Sequence, residues 1–258
     1  MNRRFTYYTI VILFIISLNS FADEIHIAVA ANFAQPMAVL KQDFEKSSGH
    51  QVIVTLGSTG KLYSQIKNGA PFEILLAADM ERPLKLSQEG ETVKGSIFTY
   101  AVGKLVLWSQ DTHLVDQEGT VLKQGNFTHL AIANPKTAPY GKAAQQVLEK
   151  LGLWQTLQDK LVQGIDISQA YQMVSTRNAQ LGFIALSQYK SVNKGSHWLV
   201  PQEMYSPLFQ GAVLLKKGEH HDAAMAFLRF LKTQQAINLI EKFGYSIPQY
   251  MTPLKEKP

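Results

Sequence analysis

Three times in this chain an apolar run of strand character ends in a turn of small or hydroxyl-bearing residues, and each turn opens a stretch of helical character. Residues 25–30 lead through Ala31, Asn32 and Phe33 into 36–47, where Met37, Leu40 and Phe44 recur at helical spacing and Gly49 marks a stop. Residues 52–56 lead through Gly57, Ser58, Thr59 and Gly60 into 61–68, closed by Gly69. Residues 130–133 lead through 134–139 into 140–151, with Gly152 past the end. Strand, turn and helix repeated in that order predict an α/β fold on a parallel sheet.

The remaining segments extend the pattern. Strands are predicted at 73–78, 98–108, 181–186 and 212–215, and helices at 80–88 and 168–177, the latter with Ser168 as its cap. A long helix is predicted over 220–243, carrying Ala224, Phe227, Leu228, Leu231, Ile237 and Ile240 on one face and ended by Gly244 and Pro248. About a hundred residues with an α/β pattern of their own separate the first three units from the last strand and helix. This reads as two lobes joined by two crossings, near 100–108 and 205–215. Lobe I takes 23–100 plus 206–258, and lobe II takes 101–205. One continuous doubly wound domain fits the composition equally well. In either case a ligand is expected at the carboxyl ends of the strands.

Residues 1–22 set the destination. Arg3 and Arg4 precede an apolar run from Tyr7 to Leu18, and Ser20 and Ala22 occupy the small positions of a cleavage site. This is the pattern of a signal peptide, with the mature chain beginning at Asp23. The apolar run is shorter than the roughly 20 residues of a membrane span. No Cys follows, so a lipoprotein is excluded, and the style of the signal points to a bacterial periplasm. The 258 residues contain no Cys at all, which removes disulfides, Cys-bound metals and thiol nucleophiles. The formal charge of +5 comes without the clustering of Lys and Arg that a nucleic-acid binder carries.

The three turns carry the chemistry. Each places small or hydroxyl residues at a helix start, where free N–H groups and the positive helix end attract anions. Gly57, Gly60 and Gly141 allow backbone to approach a ligand closely. The turns hold no Asp or Glu, and Lys61, Lys136 and Lys142 lie outside their inner positions. Neutral donors suit a fully ionised, sulfate-like or molybdate-like dianion, which only accepts hydrogen bonds. A phosphate that keeps a proton would want an acceptor. Taken singly, Asn32 also fits a helix cap, Ser58 and Thr59 fit turn residues, and Tyr140 fits a packed aromatic. Three such turns in one exported chain favour the site. Catalytic and metal patterns are missing: no nucleophile elbow, no phosphate loop with its Gly-Lys-Ser/Thr, and no His-Glu-x-x-His. His220 and His221 read as a solvated helix start.

Several segments resemble the molybdate-binding proteins of ABC importers. They are Ala-Val-Ala-Ala-Asn-Phe at 28–33, Gly-Ser-Thr-Gly-Lys-Leu-Tyr-Ser-Gln-Ile at 57–66 and Asn-Gly-Ala-Pro-Phe-Glu-Ile-Leu-Leu-Ala-Ala-Asp at 68–79. Phe-Thr-Tyr-Ala-Val-Gly-Lys-Leu-Val-Leu-Trp-Ser at 98–109, Ala-Ile-Ala-Asn-Pro-Lys-Thr-Ala-Pro-Tyr-Gly at 131–141 and Leu-Gly-Phe-Ile-Ala-Leu at 181–186 complete the set. The resemblance implies a two-lobed type II periplasmic binding fold with two hinge crossings and an oxyanion in the cleft. It implies capture of molybdate or tungstate and delivery to an ABC transporter membrane permease by a monomer, without enzymatic activity, cofactor or nucleic-acid partner. The contacts carried over are Ala31 through its backbone, Asn32, Ser58, Thr59, Tyr140 through its hydroxyl or N–H, and the N–H of Ile167. These touch the oxyanion and are not direct metal ligands. Some relatives carry a Tyr where this chain has Ala185, and Tyr140 stands in for that hydroxyl. Binding of another oxyanion such as sulfate, an exported α/β hydrolase and a sensor sharing the binding fold are the competing readings.

Overall fold

The structure, a computed structural model, describes residues 23–251. Residues 1–22, where a signal peptide is expected, and residues 252–258, expected to end lobe I, lie outside the described residues. In chain order the first elements are β1 (Glu24–Ala30), α1 (Ala34–Ser48), β2 (Gln51–Gly57), α2 (Thr59–Lys67), β3 (Ile74–Leu76), α3 (Glu81–Gln88) and β4 (Phe98–Gly103). Then come β5 (Leu105–Ser109), α4 (Val121–Gln124), β6 (Leu130–Ala133), α5 (Pro139–Lys150), β7 (Leu161–Gly164), α6 (Ile167–Ser175), β8 (Leu181–Ala185), α7 (Leu186–Val192) and β9 (Ser196–Leu199). The chain closes with β10 (Leu208–Leu214), α8 (Asp222–Phe230) and α9 (Gln234–Lys242).

The strands form two five-stranded sheets, ordered β2-β1-β3-β10-β4 and β7-β6-β8-β5-β9. Each sheet is mixed rather than wholly parallel. In the first, β1 pairs β2 and β3 in parallel, while β10 runs antiparallel to β3 and β4. In the second, β6 pairs β7 and β8 in parallel, while β5 runs antiparallel to β8 and β9. The antiparallel strands are those that enter or leave by a crossing between lobes.

Alternation along the strands divides the first core. Ile25, Ile27 and Val29 of β1 and Ile74 and Leu76 of β3 pack with Met37, Leu40, Phe227, Ile237 and Ile240 of α1, α8 and α9. Ala28, Leu75 and Val213 face the other way, onto Leu62, Ile66 and Leu86 of α2 and α3. Successive strand residues point to opposite faces, so a sheet covered on both sides must be apolar at nearly every position. The second sheet is buried against α5 and α6 through Val147, Leu148, Ala170 and Val174.

Three expectations are corrected. The predicted strand over 98–108 is two strands in different sheets, β4 ending at Gly103 and β5 starting at Leu105, with the first crossing at Lys104. An unbroken apolar run cannot reveal that its halves pair with different partners. The predicted helix over 220–243 is two, α8 and α9, because the Thr233 hydroxyl accepts from the Ala236 N–H at 3.3 Å and caps a new helix. His221 is not simply solvated: its Nδ1 bonds Glu73 and its Nε2 stands 3.8 Å from Asp23. The two crossings are fastened together, since the N–H of Leu105 donates to the Tyr205 hydroxyl at 3.0 Å.

Candidate functional site

Four helix starts meet at one place. A single turn of 3-10 helix, Ala31–Phe33, follows β1; α2 opens behind Ser58; α5 opens at Pro139; α6 opens at Ile167. Two come from each sheet. All six residues singled out by sequence, Ala31, Asn32, Ser58, Thr59, Tyr140 and Ile167, line one cavity there. Its volume is about 10 Å³, far below the roughly 300–1,000 Å³ usual for organic ligands. A wider hollow beside Ser109, Asp111 and Arg177 gathers no helix starts. Its Ser109 and Gln110 side chains are already bonded to the carbonyls of Gln180 and Val174.

The first N–H groups of a helix have no partner within it and point out of its end. In α6 this supply is divided. Asp166 Oδ1 accepts from Ser168 N–H at 2.9 Å and Gln169 N–H at 3.0 Å, leaving the N–H of Ile167 over. Asp166 therefore caps the helix, not Ser168 as the sequence suggested. In α5 Pro139 has no N–H, so Tyr140 and Gly141 supply the first ones. Ser58 sits at the cap of α2 without bonding its own helix through its side chain. The Thr59 hydroxyl is buried and accepts from Ala78 N–H at 3.0 Å, so its own proton remains to donate.

Two side chains are placed differently from expectation. Asn32 Nδ2 donates to Gln210 Oε1 at 2.8 Å and to the Tyr245 hydroxyl at 2.9 Å. The side chain is spent in the interior, and Asn32 can serve the cavity only through its backbone N–H, as Ala31 does. The Tyr140 hydroxyl is carried to the hinge: a Cβ on Gly103 would stand 2.1 Å from it and 3.0 Å from Gln210 Nε2. It is buried beside the Tyr245 hydroxyl, without a well-formed hydrogen bond. Burial first, and then the neighbouring hydroxyls of Tyr245, Tyr205 and Tyr100, push its pKa well above the usual tyrosine value. It does not replace a hydroxyl at Ala185, and the N–H is what Tyr140 offers the cavity.

Gly57 lines the cavity as expected of it, but Gly60 and Gly141 serve packing instead. A Cβ on Gly141 would stand 2.3 Å from the carbonyl of Ala133, so that position is small for helix-on-strand packing. Gly60 meets the backbone of Thr137 from the opposite sheet. The lining contains no Lys or Arg, as the turns suggested, but it does contain one carboxylate, Asp166. Sequence reasoning also missed Gln210, Tyr245 and Ser187, which surround Asn32. The signal for Gln210 was available: it is a lone amide inside the apolar run of β10, and such a group must find partners when buried.

A small cavity ringed by helix starts from two sheets, with no cationic side chain in its wall, suits a small anion. The family described as bacterial extracellular solute-binding protein matches residues 25–246. The chain belongs to this family. It is 55% identical to the molybdate-binding protein ModA of Azotobacter vinelandii over 229 residues, 88% of this chain and 91% of that protein. It is 51% identical to the molybdate-binding protein ModA of Rhodobacter capsulatus over 230 residues, 89% of this chain and 91% of that one. The solved Azotobacter vinelandii periplasmic molybdate-binding protein superposes with a TM-score of 0.85 at 40% identity, covering 87% of this chain and all of the other. These relatives are binding proteins and not enzymes, and the two-lobed periplasmic binding fold expected from the sequence is the fold observed.

Proposed function

We propose that this protein captures molybdate outside the cytoplasm and delivers it to the membrane permease of an ABC transporter. The observation that carries the reading is the convergence of four helix starts, two from each lobe, on one small cavity without cationic side chains. The anion is held by the N–H groups of Ala31, Asn32, Tyr140 and Ile167 and the hydroxyls of Ser58 and Thr59. It docks on one lobe, and closure of the other completes the cage, a shift toward the state that makes more contacts. The lobes divide near the two crossings, the chain acts as a monomer, and residues 1–22 direct it to the periplasm. Tungstate is close to molybdate in size and binds the same way. Sulfate, with shorter bonds, leaves some of the donors out of reach.

Thermal unfolding of the mature protein with molybdate, tungstate, sulfate, phosphate and chromate at matched ionic strength tests this. A ligand at 100 times its dissociation constant stabilises by about 2.7 kcal/mol. Molybdate and tungstate should raise the transition well beyond sulfate and phosphate. A larger shift with sulfate, or none with any oxyanion, would overturn the reading. The phosphate arm also probes Asp166, the one lining group able to accept a proton from the ligand.

A further inference from the structure

The turn Ala31–Phe33 is gripped from the opposite sheet. Ser168 of α6 donates its hydroxyl to the carbonyl of Ala31 at 3.3 Å, and Ser187 of α7 donates to the carbonyl of Asn32 at 2.8 Å. Neither serine lines the cavity. Neither caps its own helix, because Asp166 caps α6 and the Gln188 side chain accepts the N–H of Ala185 at the start of α7. Both hydroxyls are directed across the interface between the sheets.

A carbonyl and the N–H of the next residue belong to one conjugated peptide unit. A hydrogen bond accepted at the Ala31 oxygen polarises the Asn32 N–H, and one accepted at the Asn32 oxygen polarises the Phe33 N–H. Linked hydrogen bonds strengthen one another in a low-dielectric interior. The Asn32 oxygen has a second donor, the Tyr245 hydroxyl at 2.8 Å, whereas Ser168 is the one side-chain donor found on the Ala31 oxygen among the described residues.

We infer that Ser168 is a positioning residue for the anion: reaching across from the second lobe, it strengthens the Asn32 N–H that the first lobe presents, while Ser187 beside it acts on the Phe33 N–H outside the cavity and adds only its bond across the lobes. The inference rests on the oxyanion reading above. Their bonds form when the lobes meet, so closure tightens the hold on the anion and the anion in turn favours closure, as linkage requires. Docking on the open lobe precedes these bonds. Their loss should therefore appear in release and not in capture.

The test is release of radiolabelled molybdate from the full mature protein into excess unlabelled molybdate, with association measured separately. Ser168→Ala should release about 2- to 12-fold faster, the effect of one ordinary hydrogen bond, with an unchanged association rate. Ser187→Ala should do so less, because Tyr245 remains on the same oxygen, and Ser168→Thr should restore slow release. Ser191→Ala is the control, since Ser191 bonds within α7 to the Ser187 carbonyl at 3.0 Å. Wild-type release by Ser168→Ala, or an equal loss of melting temperature with and without molybdate, overturns the inference alone. Failure of the unaltered protein to bind molybdate overturns the oxyanion reading and the inference with it.

Discussion

Gly60 and Thr137 meet across the cleft. The N–H of Gly60 donates to the carbonyl of Thr137 at 2.9 Å, and a Cβ on Gly60 would stand 2.9 Å from the same oxygen and 3.1 Å from the Thr137 Cα. Both neighbours are backbone and cannot swing aside. A methyl group here holds the lobes apart without touching either core. Gly60→Ala should weaken molybdate binding by about 1–3 kcal/mol, roughly 5- to 150-fold. The melting temperature of the free protein should hardly change. Calorimetric titration together with thermal unfolding checks both parts.

Ile167→Pro isolates a backbone donor. Proline is well tolerated at the first position of a helix, and the preceding Asp166 already has the extended backbone (φ −151°, ψ −179°) that a following proline favours. The substitution removes the one N–H that Asp166 leaves unbonded. Affinity should fall by at least the value of a charge-assisted hydrogen bond, about 1.5–3 kcal/mol or roughly 10- to 150-fold. Circular dichroism should report α6 intact. An affinity equal to wild type would remove Ile167 from the site.

Ser58→Ala removes a hydroxyl that its own helix does not use. The same range of loss, about 10- to 150-fold, is expected in titration calorimetry, with the fold unchanged.

Tyr140→Phe should behave in the opposite way. Its hydroxyl is buried at the hinge with no well-formed hydrogen bond, only the Tyr245 hydroxyl beside it, and leaving such a group poorly satisfied costs up to about 1–3 kcal/mol. Denaturant unfolding should show the phenylalanine variant at least as stable as wild type, with affinity within a few-fold. Gly103→Ala, which brings a Cβ to 2.1 Å from that hydroxyl, should destabilise. Adding Tyr140→Phe should recover part of the loss, a coupling that a double-mutant cycle measures. A tenfold loss of affinity in Tyr140→Phe would instead put the hydroxyl on the anion.

Stability should decline in alkali. Burial pushes Tyr245 up to about 12 and Tyr100 and Tyr140 well above their usual value. Each is raised in the folded state, so its contribution is complete below pH 10 and is lost as pH climbs from 10 through the folded value. Each such tyrosine steepens the decline by up to about 1.4 kcal/mol per pH unit. Denaturation at pH 9, 10 and 11 should show this, and Tyr100→Phe should flatten it by one tyrosine's share.

The sequence revealed what local pattern controls. Apolar runs and the turns behind them located β1, β2, β6 and the starts of α2 and α5, and those turns contain most of the cavity wall. It did not reveal where side chains go once distant segments meet. Asn32 looked like a donor to a ligand because nothing local shows that Gln210 and Tyr245 take its amide. For Tyr140 the hydroxyl and the N–H stayed equal candidates, because the reach of the hydroxyl to Gly103 depends on the crossing. The pairing of β4 and β5 in different sheets is likewise a long-range fact. Asp166 is the exception: an Asp two residues before Ser168 is a readable capping signal.

One residue, Lys104, separates a strand of the first sheet from a strand of the second, and Tyr205 staples this passage to the return one. A linker that short has no slack, since adjacent Cα atoms stay 3.8 Å apart whatever the torsions do. The two halves can swing about this pivot but cannot slide along it. A swing about this pivot keeps the register of the two halves, so their donors meet without having to search for one another.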